Sequence, residues 1–175
     1  MIDEKMINFH KTLLRPGKFY PNYADNNCNF RAYVICGALS IAGYKNINIY
    51  RLKEPQKKLS YQTQFTCADC ADCKFGNLYE SRNWNYHMVA GIIKDGRDII
   101  FDTIMFDTPV FLRQWLDRFQ IIQQETDYNN IVRNGLLKII PYTYKVADHE
   151  NWINILNKKH KESTRVCQHN LNIAC

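Results

Sequence analysis

Apolar positions recur at helical spacing twice in the first quarter of the chain. Ile7, Phe9, Leu13 and Leu14 form a short pattern that stops at Pro16-Gly17, a turn signal, and predict a short helix followed by a loop. From Cys28 to Gly43 the residues Phe30, Val34, Ile35, Ala38, Leu39 and Ala42 keep a helical period, with Gly43 where a C-terminal cap belongs. Asn26 or Asn27 is the expected N-cap, which sets Cys28 at the positive end of this helix. Asn46 to Arg51 alternates, with Ile47, Ile49 and Arg51 on one side, and predicts a strand.

Residues 53–83 are polar and keep no period, so they read as a long insert leaving the core, and long ordered loops are often functional. Trp84 to Ile93 and Arg97 to Thr103 read as two strands joined through Lys94-Asp95-Gly96-Arg97, and Asp-Gly there is a strong hairpin signal. A two-residue turn pairs Lys94 with Arg97, Ile93 with Asp98 and Val89 with Asp102. His87 then lies diagonal to Asp102 on the same face, where Cβ atoms stand roughly 7–8 Å apart, within reach for an imidazole and a carboxylate. Further on, Val110 to Phe119 reads as helical, and Leu136 to Ile140 and Tyr142 to Val146 as strands separated by Pro141. Asp148 opens an amphipathic helix through Trp152, Ile153 and Leu156. The expected organisation is one α+β domain over 1–162, including the 53–83 insert, and a mobile polar tail over 163–175.

Composition narrows the classes without choosing among them. Hydrophobic residues at 46% and charged residues at 23% of 175 speak for a folded domain rather than a disordered or collagen-like chain. The +6 charge suits an acidic partner but is too small to indicate nucleic acid. No apolar run nears the ~18 residues of a membrane-spanning helix. The first ten residues carry acids where an export signal carries positive charge, so no Sec signal is expected, and the expected location is cytoplasmic or outside the cell by another route.

Seven cysteines, an odd number, leave at least one thiol without an intrachain partner. Cys67, Cys70 and Cys73 form C-x-x-C-x-x-C, a spacing open to metal thiolates, to disulfides involving Cys167 and Cys175, or to free thiols on a loop. A fourth ligand is not evident, and no metal or cofactor is assigned. Cys36, two turns after Cys28, reads as a core residue. Cys28 differs in position, because a helix N-terminus and a neighbouring imidazolium depress a thiol's pKa from about 8.5 to ~3.5–7.5. His87 is the histidine placed to be that neighbour, with Asp102 to hold the ring's far nitrogen. Helix-borne Cys, then strand-borne His and acid, is the chain order of papain-like thiol enzymes. Trp84 is placed either to wall a substrate cleft or to join the aromatic core, and Arg31, one turn beyond Cys28, reads as structural.

Asn27-Cys28-Asn29-Phe30-Arg31-Ala32 with the helix running to Gly43-Tyr44, Trp84-Asn85-Tyr86-His87, and Ile99-Ile100-Phe101-Asp102 followed by Pro109-Val110 and Trp115 resemble the bacterial protein-glutaminases. These are protein-glutamine deamidases of papain-like fold, and the likeness covers about residues 26 to 116. It implies an α+β, papain-like fold with an N-terminal nucleophile helix packed on an antiparallel sheet. It also implies Cys28 as nucleophile, His87 as general base and acid, Asp102 as orienting acid, and hydrolysis of a protein-bound glutamine carboxamide to glutamate through a thioester. The implied partner is a protein presenting an exposed glutamine, with an inhibitor or immunity partner also to be looked for; neither nucleic acid nor membrane is expected. The family habit points to a secreted effector. A protease or transglutaminase with the same trio, or a metal-binding interaction module, are the alternatives. Asp102-Thr103 departs from the family's frequent Asp-Pro but keeps the carboxylate; the cysteine cluster in the insert is unfamiliar in the family and leaves substrate choice and redox habitat open.

Overall fold

The structure, a computed structural model, describes residues 1–14, 28–53, 59–65, 78–84, 86–119, 128–155 and 157–158, with 59–65, 78–84 and 128–129 described through their backbone alone. The cysteine cluster, the Asn26 and Asn27 caps and the 163–175 tail lie outside the described residues.

Helix α1 (Glu4–Leu13) begins at Asp3, whose carboxylate accepts the Met6 N–H at 2.9 Å. It turns Met6, His10 and Leu13 inward. Its buried stripe therefore includes a histidine that the apolar pattern passes over. Helix α2 (Cys28–Ile41) closes where the sequence predicts. Gly43 adopts φ +85, its N–H donates to Ser40 O, and the Tyr44 N–H donates to Leu39 O. This is a Schellman closure, and the positive φ it needs is cheap only for glycine.

The strands, in chain order, are β1 (Ile47–Lys53), β2 (Leu59–Phe65), β3 (Leu78–Trp84), β4 (Tyr86–Lys94), β5 (Arg97–Phe101), β6 (Val110–Phe111) and β7 (Leu137–Pro141), with α3 (Leu112–Leu116) and α4 (Tyr128–Arg133) between the last two strands. Five of them form one antiparallel sheet ordered β6-β5-β4-β1-β7. The Asp95-Gly96 turn has both residues at positive φ, +52 and +70, and joins β4 to β5 with Lys94 opposite Arg97 and Ile93 opposite Asp98, the predicted register.

Four expectations need correction. The 53–83 insert is not without strands: β2 and β3 pair as a separate two-stranded ribbon. Trp84 consequently ends β3 instead of opening the histidine strand. Pro141 does not divide two strands, since it ends β7, and 142–145 are irregular before a helix over 146–155. A proline is tolerated there because β7 is an edge strand. Val110 and Phe111 also belong to the sheet, and the helix predicted from Val110 starts at Leu112, where Gln114 Oε1 accepts the Phe111 N–H at 3.0 Å.

Alternation along the strands divides the core. Ile49, Ala90, Ile92, Ile99 and Phe101 face α1 and α2, while Tyr50, Leu52, Val89 and Ile100 face Trp115, Leu116, Phe119 and Ile131. Helix α2 is apolar around most of its girth because it is covered twice. Its outer side carries the 146–155 helix, whose Trp152 stacks on Tyr33 at 4.8 Å between centroids and leans on Phe30 at 5.4 Å. Gly37 permits the approach, because a Cβ there would stand 1.9 Å from His149 Nδ1. Among the described residues no helix is long and apolar enough to cross a membrane.

Candidate active site

Strand β5 stops early. Its ladder with β4 ends at Ala90 opposite Phe101, whereas β4 continues along β1 to Tyr86. Beyond that point no described strand pairs with the β5 side of β4, and the first residue of α2 lies against it. The Cys28 sulfur lies 4.0 Å from Tyr86 O, and the His87 ring and the Met88 N–H are the neighbours that favour its ionised form. Backbone groups that a longer β5 would have paired are turned to the thiol instead. A thiol on the α2 side and an imidazole on the opposite side thus meet around the strand's edge.

His87 and Asp102 follow from the hairpin. Continuing the register past Phe101 sets Asp102 across from Val89, so the carboxylate and the His87 ring share a face. Nε2 of His87 and Oδ2 of Asp102 are 2.8 Å apart, both side chains about 1% exposed. With Nε2 held by the acid, Nδ1 is the ring nitrogen left for the sulfur. Asp102 is itself fixed by three further donors: the Trp115 indole N–H on Oδ2 at 2.9 Å, and the Ile104 and Met105 N–H groups on Oδ1 at 2.9 and 3.3 Å. The last two form the local turn an aspartate favours. Trp115 and Phe119 also wall the imidazole, with centroids 6.0 and 6.1 Å from it. Trp115 is the residue whose part at this site sequence reasoning missed. Its signal was an indole N–H, which needs a partner when buried, on an element adjacent to a strand-ending acid.

Electrostatics follow from this packing. Burial pulls the His87 pKa down, but the charge and hydrogen bond of Asp102, then the sulfur, override it and raise the ring to about 9. Burial pushes the Cys28 thiol up, and the hydrogen bond and charge of His87, the Met88 N–H and the positive Arg31 bring it below the ordinary 9.0. Burial likewise opposes ionisation of Asp102, and His87 and its other donors hold it below the usual carboxylate range. The two central shifts run toward each other, favouring thiolate beside imidazolium over the neutral pair. A cysteine elsewhere on the same helix shows the contrast. Cys36 is fully buried with no cation beside it, its sulfur 3.7 Å from Asn48 O, and burial pushes its thiol far up.

Arg31 is 5% exposed and, with Ala32, His87, Asp102 and Thr103, lines a cavity of about 10 Å³ between α2 and the end of β5. The sequence gives this arginine a structural part; its charge also acts on the Cys28 thiol. Trp84 closes β3, and its side chain lies outside the described residues. His10 Nε2–H donates to Phe106 O, 2.9 Å away, tying α1 to the loop that leaves Asp102. Among the described residues no group of three or more His, Cys, Asp or Glu is arranged to hold a metal ion.

The chemistry this geometry can perform is attack on a carbonyl-type carbon by a sulfur whose ionisation is favoured, with an imidazole next to it to give a proton to a leaving group. The first turn of α2 adds N–H groups that lack intrahelical acceptors. No curated protein matches the chain. Residues 5–119, more than half the chain and the whole of the segment that carries Cys28, His87, Asp102 and Trp115, match the family described as Glutaminase, and the chain belongs to that family.

Proposed function

We propose that the chain is a cysteine-dependent protein-glutamine deamidase with a papain-like arrangement of Cys28, His87 and Asp102. The Cys28 sulfur attacks the side-chain carboxamide carbon of a glutamine held in a protein substrate. Negative charge gathers on the carboxamide oxygen and is met by the N–H groups at the start of α2, donors of a kind that typically contribute about 10²–10³ in rate. His87 gives its proton to the departing nitrogen, the C–N bond breaks, ammonia leaves and a thioester remains. His87, now neutral, takes a proton from water; the hydroxide so formed displaces the sulfur, and the product is glutamate. Asp102 stays ionised throughout and holds the imidazole's orientation.

The observation that carries this reading is the depressed Cys28 thiol against a ring anchored 2.8 Å from a fully bonded buried carboxylate, inside the segment matched to the family. The test is ammonia release from a glutamine-containing protein, with mass spectrometry of that protein. The expected outcome is amide-to-acid conversion without chain scission or crosslinking, absent in Cys28→Ala. Release of ammonia that survives the substitution, or scission in its place, refutes the proposal.

A further inference from the structure

The register of the sheet brings a second set of side chains to the nucleophile. Arg51 lies opposite Met88 on β4 and opposite Lys138 on β7, and Lys53 lies opposite Tyr86. By alternation Arg51, Lys53, Lys138 and Tyr86 share the face of Ile49, Ala90 and Ile140, on which α2 sits. The first residue of that helix, Cys28, lies against Tyr86 O, so Arg51 and Lys53 are on the strand beside β4 at the end where the helix starts, with Lys138 one strand further out, and the helix dipole adds positive potential at that end. The Arg51 guanidinium is 4.7 Å from the centroid of the Tyr86 ring, and Tyr86 O touches the sulfur. Arg51 and the sulfur thus lie against the ring and the main-chain carbonyl of one residue, Tyr86.

Apart from the contact of Arg51 with the Tyr86 ring, the described fold gives these charges little return. Like charges directly across a strand pair, as Arg51 and Lys138 are, destabilise a sheet. Arg51 Nε is buried and makes no hydrogen bond, and among the described residues none of the three cations is in an ion pair. The ion-paired acids stand elsewhere: Asp3 with Lys94, Asp95 with the N-terminus, Asp117 with Arg113 and Asp102 with His87. Lys53 and Lys138 are exposed. Three cations that no described acid pairs, on the face beside the candidate active site, are complementary to an anionic ligand segment.

We propose that this basic face selects glutamines flanked by acidic residues. An extended peptide advances ~3.3 Å per residue, so carboxylates two to four positions from the target glutamine reach the Arg51–Lys53–Lys138 face while its carboxamide meets Cys28. The charge preference stands on the sheet register; that the central residue is a glutamine rests on the deamidase reading.

Three fluorescent peptides, identical except for Glu, Ser or Lys on both sides of one Gln, separate the two. Their binding to the full chain carrying Cys28→Ala is followed by anisotropy, and their ammonia release is measured with the unaltered chain. The Glu-flanked peptide is expected to bind about tenfold more tightly than the Ser-flanked one, with a margin that shrinks as salt is raised. The double variant Lys53→Glu, Lys138→Glu, altered only at exposed positions, is expected to prefer the Lys-flanked peptide. Equal affinity for all three, binding of none, or a preference for Glu that survives the charge reversal overturns the proposal. If the anisotropy order holds and no peptide yields ammonia, the deamidase reading fails and the basic face stands.

Discussion

Replacing Asp102 by Asn removes a buried negative charge beside His87 while nearly keeping the side chain's shape. The carboxylate accepts from His87 Nε2, Trp115 Nε1 and the N–H groups of Ile104 and Met105, and an amide has a single oxygen to offer them. Whichever way the amide turns, a buried donor loses its acceptor, at about 1–3 kcal/mol. The electrostatic effect is of similar size or greater. Burial pulls His87 down and Asp102 more than reverses this, taking the ring from 6.5 to about 9. At 1.36 kcal/mol per pKa unit that interval corresponds to roughly 3 kcal/mol. Without the acid, burial governs, the ring is neutral at pH 7, and the population holding thiolate beside imidazolium falls roughly 10²-fold. Ammonia release per unit enzyme is expected to fall by at least that factor.

Iodoacetamide labelling of Cys28 as a function of pH isolates the electrostatic effect from any loss of substrate binding. In the unaltered chain labelling should stay fast well below the ordinary thiol pKa of 9.0, whereas in Asp102→Asn it should rise only in the alkaline range. Stability gives a second readout. A ring whose pKa is raised by folding stabilises the fold fully below its unfolded value of 6.5, and that contribution is lost as pH climbs through about 9. The urea midpoint of the unaltered chain should carry this loss across that window and the variant should lack it. Superimposable labelling profiles for the two proteins would refute the reasoning.

Three further outcomes are expected. Gly37→Ala places a methyl 1.9 Å from the His149 ring, so overpacking of about 1–3 kcal/mol should exceed the helix-propensity gain of roughly 1 kcal/mol; in a His149→Ala background the same change should become stabilising, as urea melts of the four proteins will show. Arg31→Met withdraws a positive charge acting on the nucleophile, so the acid limb of the activity profile should move to higher pH while the alkaline limb, set by His87, stays near about 9. Brief alkylation of the native chain followed by peptide mapping should label Cys28 and spare Cys36, whose thiol burial holds protonated; equal labelling would remove the distinction drawn between the two sulfurs.

Much of the site's frame was legible because it is local. The Asp95-Gly96 turn fixes a register, and a register carries His87 toward Asp102 with no knowledge of the rest of the fold. The reach of α2 was equally local, written in its period and in Gly43. What stayed hidden depends on contacts between distant segments. That β1 sits between β4 and β7, placing Arg51 against Lys138, needs a strand pairing no short-range signal specifies. Trp84 and His87 lie close enough in sequence to suggest one strand, yet β3 pairs with β2 outside the main sheet. His10 falls outside the apolar pattern of α1 and is wholly buried, because its Nε2–H finds the carbonyl of Phe106 across the core.

The early end of β5 bears on how such a centre could be moved or lost. Copying three side chains onto another scaffold would not reproduce it, since the sulfur's seat includes the main chain of Tyr86 and Met88 left without a neighbour. A graft would have to bring the truncated strand with it. Conversely, an insertion that let the hairpin zip two residues further would let main-chain pairing compete for the thiol's place, silencing the enzyme with every reactive group still encoded.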